Sequence, residues 1–298
     1  MKILTPLIRW GSYPLIFGVC TGMQLAILWL HLPYWPLAPI IAALGLTAVA
    51  LLERLQPYET LWLNDHHDTN VDILHALTSL TLIFTSIEIA TVILKFMPVS
   101  AIWPTDWPIG VQVLTAGFII DFGLWFMHWL SHKNDLLWRL HALHHSAERL
   151  YWLNGERRHP LSAVVLAAPG ISVVVLLGAP PEIIGCWLSI ITVHLAFQHA
   201  NLDYSVGSFR RLLGVAEVHR WHHKREYEDA QVNFGEFWMI WDHLFGTYRY
   251  QKNSVHAGEV GMKEPMPITY LAQIKCAFFQ KSVIQILDGE ANGTGVTE

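Results

Sequence analysis

His128-Trp-Leu-Ser-His132, followed closely by His141-Ala-Leu-His144-His145, decides how this chain is read. A third cluster, His219-Arg-Trp-His222-His223, repeats the second motif's spacing further along. Eight of the chain's 17 histidines fall in these three motifs, HxxxH, HxxHH and HxxHH. On a helix, positions i, i+3 and i+4 share a face, so each motif predicts two or three imidazoles projecting from one side of one helix. Imidazole suits iron, zinc, copper and nickel. Eight such ligands are too many for one ion and fit two.

Outward from these motifs the chain is greasy. Of 298 residues, 53% are hydrophobic and 14% charged, with a mean hydropathy of +0.34. Soluble domains carry about 25% charged residues, so this is the composition of a membrane protein. The 14 tryptophans fit interfacial belts. A net charge of −5 gives no case for nucleic acid. The three cysteines, Cys20, Cys186 and Cys276, form neither a CxxC motif nor a disulfide framework.

Apolar runs predict spans over about Tyr13–Leu30, Leu37–Leu52, Ile73–Met97 and Ile109–Leu130, the last delivering His128 and His132. The second is short for a bilayer. Two further runs, Leu161–Gly178 and Ile183–His199, are joined by the turn Gly178-Ala-Pro-Pro181, and Pro169-Gly170 interrupts the first. They read as two spans or a re-entrant hairpin. The N-terminal run is too long for a signal peptide and lacks a cleavage site. The last residues, Asp288–Glu298, read as disordered. With the N-terminus in the cytoplasm, 18 of the 19 Lys and Arg residues are cytoplasmic, Lys95 being the exception, and all three histidine motifs share that side. The expected fold is therefore all-α: a polytopic membrane helical bundle of about four spans plus a two-helix hairpin, with a cytoplasmic histidine-rich cap. It is expected to be one domain over 1–298, with N-terminal spans in 1–110, the histidine region in 111–250 and a C-terminal tail in 251–298.

Ordinary interfacial histidines do not cluster in this way. A zinc protease would want HExxH with a glutamate base between its ligands, and His128-Trp-Leu-Ser-His132 has none. A zinc protein using the same histidines for structure or hydrolysis stays open as the alternative.

The motifs in this order, on a multi-span chain, resemble the fatty acid hydroxylase superfamily, also called sterol desaturase-like. The resemblance runs from about Asp121 to Tyr248 and includes Arg158-His159-Pro160, His199-Ala-Asn201-Leu, Asn233-Phe-Gly235 and Trp241-Asp-His-Leu-Phe-Gly-Thr-Tyr248. It implies a non-haem di-iron oxygenase that uses O2 and two electrons to hydroxylate, or desaturate, a C–H bond of a lipid. The ligands it implies are His128, His132, His141, His144, His145, His219, His222 and His223, with His199 a ninth and His159 a ligand or a partner to one. His194 lies about 140° round an ideal helix from His199, so it is either a ligand at a distorted helix end or a buried hydrogen-bonded histidine.

Metal-bound histidines usually donate their second N–H to a carboxylate or carbonyl. Asp121, two turns before His128 and inside a span, is the acid expected there, and Asn233 is expected to reach the site through water. These two are the candidate catalytic residues outside the ligand set. Glu217 is a weaker candidate of the same kind, and Asp242 is expected to stabilise its own turn. The HPGG motif of a fused haem domain, carried by some members, is missing, so electrons are expected from a separate carrier or reductase. Basic residues near the third motif could steer an acidic carrier or hold anionic headgroups. A bacterial inner membrane is the expected location, or the endoplasmic reticulum if the chain is eukaryotic.

Overall fold

Prolines mark where several of the helices start. Pro33, Pro108 and Pro180 cap helix N-termini, and Pro160 and Pro181 occupy first turns, where a missing N–H costs nothing. The computed structural model describes residues 4–94, 102–251 and 254–279. Among these it has ten α-helices and no β-strand. The six long ones are α1 (Leu4–Trp29), α2 (Tyr34–Leu55), α3 (Thr69–Leu94), α4 (Ile109–Ser131), α6 (Pro160–Leu176) and α7 (Pro181–His199). The short ones are α5 (Asp135–His145), α8 (Ala216–His222), α9 (Ile240–Phe245) and α10 (Tyr270–Phe279).

Among the described residues four helices are long and apolar enough to cross a membrane: α1, α2, α4 and α7. The second is 22 residues long, so the span that looked short in sequence borrows Tyr34, Trp35 and Pro36 at one end and Glu53 to Leu55 at the other. The run from Leu161 is one helix that continues through Pro169, not an interrupted one. Pro169-Gly170 marks a close crossing instead. A Cβ on Gly123 of α4 would lie 2.5 Å from the Gly170 nitrogen, and a Cβ on Gly170 would lie 2.6 Å from the Ile120 Cα. Helix α6 has 17 residues and turns into α7 through Gly178, whose φ of +85° only glycine adopts without strain. For α3 the side chains of part of the helix lie outside the described residues. So do Lys95 and the tail Asp288–Glu298, both of which entered the sequence reading.

One apolar core lies between α4, α6 and α7, where Ile120, Leu166, Val174, Ile184 and Trp187 are buried. Another joins α1 and α2 to the last turns of α7 through Tyr13, Ala38, Val49, Val193 and Phe197.

Contacts at the helix ends fix the arrangement. Arg9 near the start of α1 pairs with Asp203 just past the end of α7 at 3.3 Å. Glu53 at the end of α2 accepts from the Asn201 N–H at 3.1 Å and the Trp152 N–H at 3.0 Å. Asp72 at the start of α3 pairs with Arg157, just before α6, and accepts from Tyr151. The starts of α1, α3 and α6 and the ends of α2, α4 and α7 therefore share one end of the bundle, so α6 and α7 form a hairpin that returns to the side it left. His128, His132 and His199 lie on this end.

Candidate metal centre

The two HxxHH motifs exchange partners. On α5, His141 and His145, at i and i+4, join one group, and His144 at i+3 joins another. On α8 the assignment reverses: His219 and His223 sit together in the second group, and His222 crosses to the first. His128 and His132 from the end of α4 complete the first group at five, and His199 from the last residue of α7 completes the second at four. Within each group the ligand atoms lie within 4.8 Å of one another, and all nine side chains are buried.

The nitrogens converge as ligands do. In the first group His145 Nε2 lies 3.1 Å from His132 Nε2 and 3.1 Å from His141 Nε2. In the second, His199 Nε2 lies 3.3 Å from His144 Nε2 and 3.0 Å from His219 Nε2, which is itself 3.1 Å from His223 Nε2. One ring nitrogen carries one proton or one lone pair, so it cannot bond two such neighbours. Around an ion at ~2.1 Å from each nitrogen, ligands are spaced ~3.0 to ~3.4 Å apart, the separation seen here. His128 Nε2 and His222 Nε2 are also buried with no partner in the protein.

The backbone sets three tautomers. His128 Nδ1 lies 2.8 Å from the Phe234 carbonyl, His222 Nδ1 2.8 Å from the Val232 carbonyl and His199 Nδ1 2.9 Å from the Leu195 carbonyl. A carbonyl only accepts, so each Nδ1 holds the proton and each Nε2 turns a lone pair inward. Burial, reinforced by neighbouring imidazoles, holds His132, His141, His144, His145, His219, His222 and His223 well below the ordinary histidine pKa. They stay neutral at physiological pH, the form that binds metal.

All eight motif histidines and His199 thus come together. His159 does not: it caps α6, accepting at Nδ1 from the Leu161 N–H at 3.1 Å and facing the Ile274 carbonyl with Nε2 at 3.3 Å, so both nitrogens are taken. His194 is likewise spent, between the Tyr13 hydroxyl at 2.8 Å and the Gly214 carbonyl at 3.1 Å.

Asp121 touches no histidine. It accepts from the Phe237 N–H, the Trp238 N–H and the Trp241 indole at 2.9, 3.2 and 3.0 Å, fastening the segment after the third motif to α4. Asn233 does not point at the centre either. It sits at φ +55°, donates to the Val218 and Arg249 carbonyls and accepts from the Arg249 N–H. Its neighbours Val232 and Phe234 supply the carbonyls that meet His222 and His128, so Asn233 holds the turn that carries both carbonyls. Asp242 holds the same turn through the Phe234 and Gly235 N–H groups and Thr247. Glu217 bonds Ser205 and Val206 and no histidine.

The sequence reading passed over Glu236, whose carboxylate lies 3.5 Å from His128 Nδ1 and 3.4 Å from Arg158. Its place directly after Asn233-Phe-Gly235 was the available signal. Glu53 was also missed. Nothing local marks it, because the loops it ties down are remote in sequence.

The fatty acid hydroxylase family profile matches residues 113–247, a stretch holding all nine of these histidines. The ornithine lipid hydroxylase OlsE of Rhizobium tropici is 31% identical over 291 residues, covering 93% of this chain and 82% of that one. The chain belongs to the fatty acid hydroxylase family. Human alkylglycerol monooxygenase is 24% identical over 196 residues, and methylsterol monooxygenase 2-2 of Arabidopsis thaliana is 28% identical over 159. The chain covers 43% and 59% of those two relatives. No solved structure gives a significant match. These relatives are lipid-hydroxylating monooxygenases, and the family member described here is a membrane oxidoreductase of that kind.

Proposed function

We propose that the two histidine groups hold two iron ions and that the protein hydroxylates a membrane lipid with O2 and two electrons. The observation that carries this is the division of nine buried, inward-facing imidazoles into groups of five and four. Iron, redox-active and with open positions, would supply O2 activation, which redox-inert zinc cannot. The chain's own part is to hold neutral ligands in fixed tautomers and to keep the centre dry. Hydroxylation is favoured over desaturation by the names of the relatives, and an ornithine-type amino lipid is the first substrate to test.

The whole chain is read as a single membrane unit. The basic residues, 18 of 19 on one side by sequence, favour a histidine end facing the cytoplasm, and the Rhizobium relative favours a bacterial inner membrane. Electrons come from a separate carrier docking on that end. Asn233 and Asp121 act at a distance, by fixing the 232–238 segment.

The test is anaerobic loading of the detergent-purified protein with ferrous iron, followed by reductant, O2 and a total-lipid extract. About two irons per chain and a lipid that gains one oxygen atom are expected. Tightly held zinc, with no O2 uptake at any iron loading, would overturn the reading.

A further inference from the structure

Next to the metal centre, between α3, α4, α6 and α7, lies a narrow apolar cavity of about 40 Å³. Ile83, Leu124, Ala163 and Leu188 are among its walls, one from each helix. One part of the lining is different in kind: Glu156, Arg158 and Glu236. Glu236 links the cavity to the centre through its 3.5 Å contact with His128. Arg158 is engaged, with Nε donating to the Gly155 carbonyl at 2.7 Å and Nη2 facing Glu236 at 3.4 Å. Glu156 is not engaged: among the described residues no group donates to its carboxylate, though part of its surface remains accessible and it lines the cavity. Two carboxylates face one guanidinium, so the free member of the set is an acceptor.

A polar group lodged against apolar walls is costly unless something bonds it. A hydrocarbon chain entering this cavity would leave Glu156 unbonded. A lipid that brings a donor would satisfy it, and a site built to bond a donor rejects the analogue lacking one far more strongly than an apolar pocket rejects a change of size.

We propose that this slot receives the part of the lipid that is oxidised and that Glu156 accepts from a nitrogen-borne N–H of that lipid, an ammonium or an amide. The oxidised carbon then lies close to nitrogen and not far out along an acyl chain. Burial raises the pKa of the Glu156 carboxyl, against the pull of Arg158 and with the push of Glu236, so a bound cation would draw it back to the ionised form. The inference rests on the oxygenase reading above and names its substrate chemistry.

The test uses the iron-loaded protein with three chain-matched lipids: a free amine, an N-acyl amide and a methyl ester. The wild type is expected to favour a nitrogen-bearing lipid over the ester by ~10-fold or more in kcat/KM, with tandem mass spectrometry placing the new oxygen near nitrogen. Glu156→Leu should lose that preference through a raised KM at unchanged metal content. Glu156→Gln separates the two sources, since its amide oxygen still accepts from an amide N–H but no longer balances an ammonium charge. Thermal stabilisation by each lipid without O2 gives a readout independent of turnover. A nitrogen-dependent shift that Glu156→Leu abolishes would stand even if no lipid were oxidised, in which case the oxygenase reading alone would fail. Equal shifts for the three lipids, or equal lipid preferences in the wild type and Glu156→Leu, would overturn the assignment.

Discussion

The five-histidine and four-histidine groups use the same ligand type and are held differently. In the first, His128 and His222 are fixed by carbonyls of one turn, Val232 to Phe234, and His132 Nδ1 lies 3.2 Å from the Gln231 amide. In the second, only His199 is fixed in this way, by a carbonyl of its own helix, while Nδ1 of His144, His219 and His223, like that of His141 in the first, has no partner among the described residues. Outer partners fix ring orientation and raise ligand basicity. The first group is therefore the more preorganised, and the second, with four imidazoles, is the more adaptable.

The largest effect should come from the weaker group. His199→Ala leaves three ligands and is expected to lower bound metal from about two ions to about one, with loss of O2 uptake. His159→Ala, by contrast, should retain the full complement. Metal analysis of both variants decides whether His199 completes a site and whether His159 stands outside it. Two ions retained in His199→Ala would end the division into five and four.

Asn233→Ala should strike the stronger group. It removes three hydrogen bonds and places alanine at φ +55°, freeing the carbonyls beside it. Outer-partner losses typically weaken metal binding about 10- to 100-fold. A chelator competition should show one ion loosened and the other unmoved. If both loosen equally, the two groups are not independent.

Asp121→Asn sharpens the comparison from the scaffold side. Three donors face this carboxylate, and an amide would turn its NH2 toward at least one of them. A loss of about 1–3 kcal/mol is expected, read as a lower unfolding midpoint with metal content retained. An unchanged midpoint would mean that the 237–241 segment is held by packing alone.

Acid acts on both groups at once in the metal-free protein. The seven clustered histidines outside the spans have folded-state pKa values below the unfolded value of about 6.5. Above that pH both states are neutral and the difference is absent. Below it the unfolded chain takes up protons first, so stability falls as pH falls. Thermal unfolding of the metal-free protein should therefore occur at lower temperature at about pH 5.5 than at about pH 7.5. A flat profile would mean that solvent reaches the imidazoles.

Much of this was legible locally. The eight motif histidines lie in short windows where helical spacing alone predicts a shared face, and all eight converge. His199 was legible as a ninth through its setting before the third motif. His159 and Asp121 misled for opposite reasons. His159 stands in a motif but serves as a helix cap, a role its two neighbours do not reveal. Asp121 was rightly singled out as an acid inside a span, yet its partners are N–H groups more than a hundred residues away.

The sequence by itself determined the helices, their membrane character and the eight histidines that gather, because hydropathy and the i, i+3, i+4 period act within a few turns. Only the tertiary structure decided which histidine joins which group. That depends on how α5 and α8 face each other, with the i+3 imidazole of each crossing to the other's pair. It also decided that Glu156 and Glu236 meet beside an apolar slot, since the packing of α3, α4, α6 and α7, with α4 and α6 touching at Gly123 and Gly170, sets that space and no local pattern encodes it.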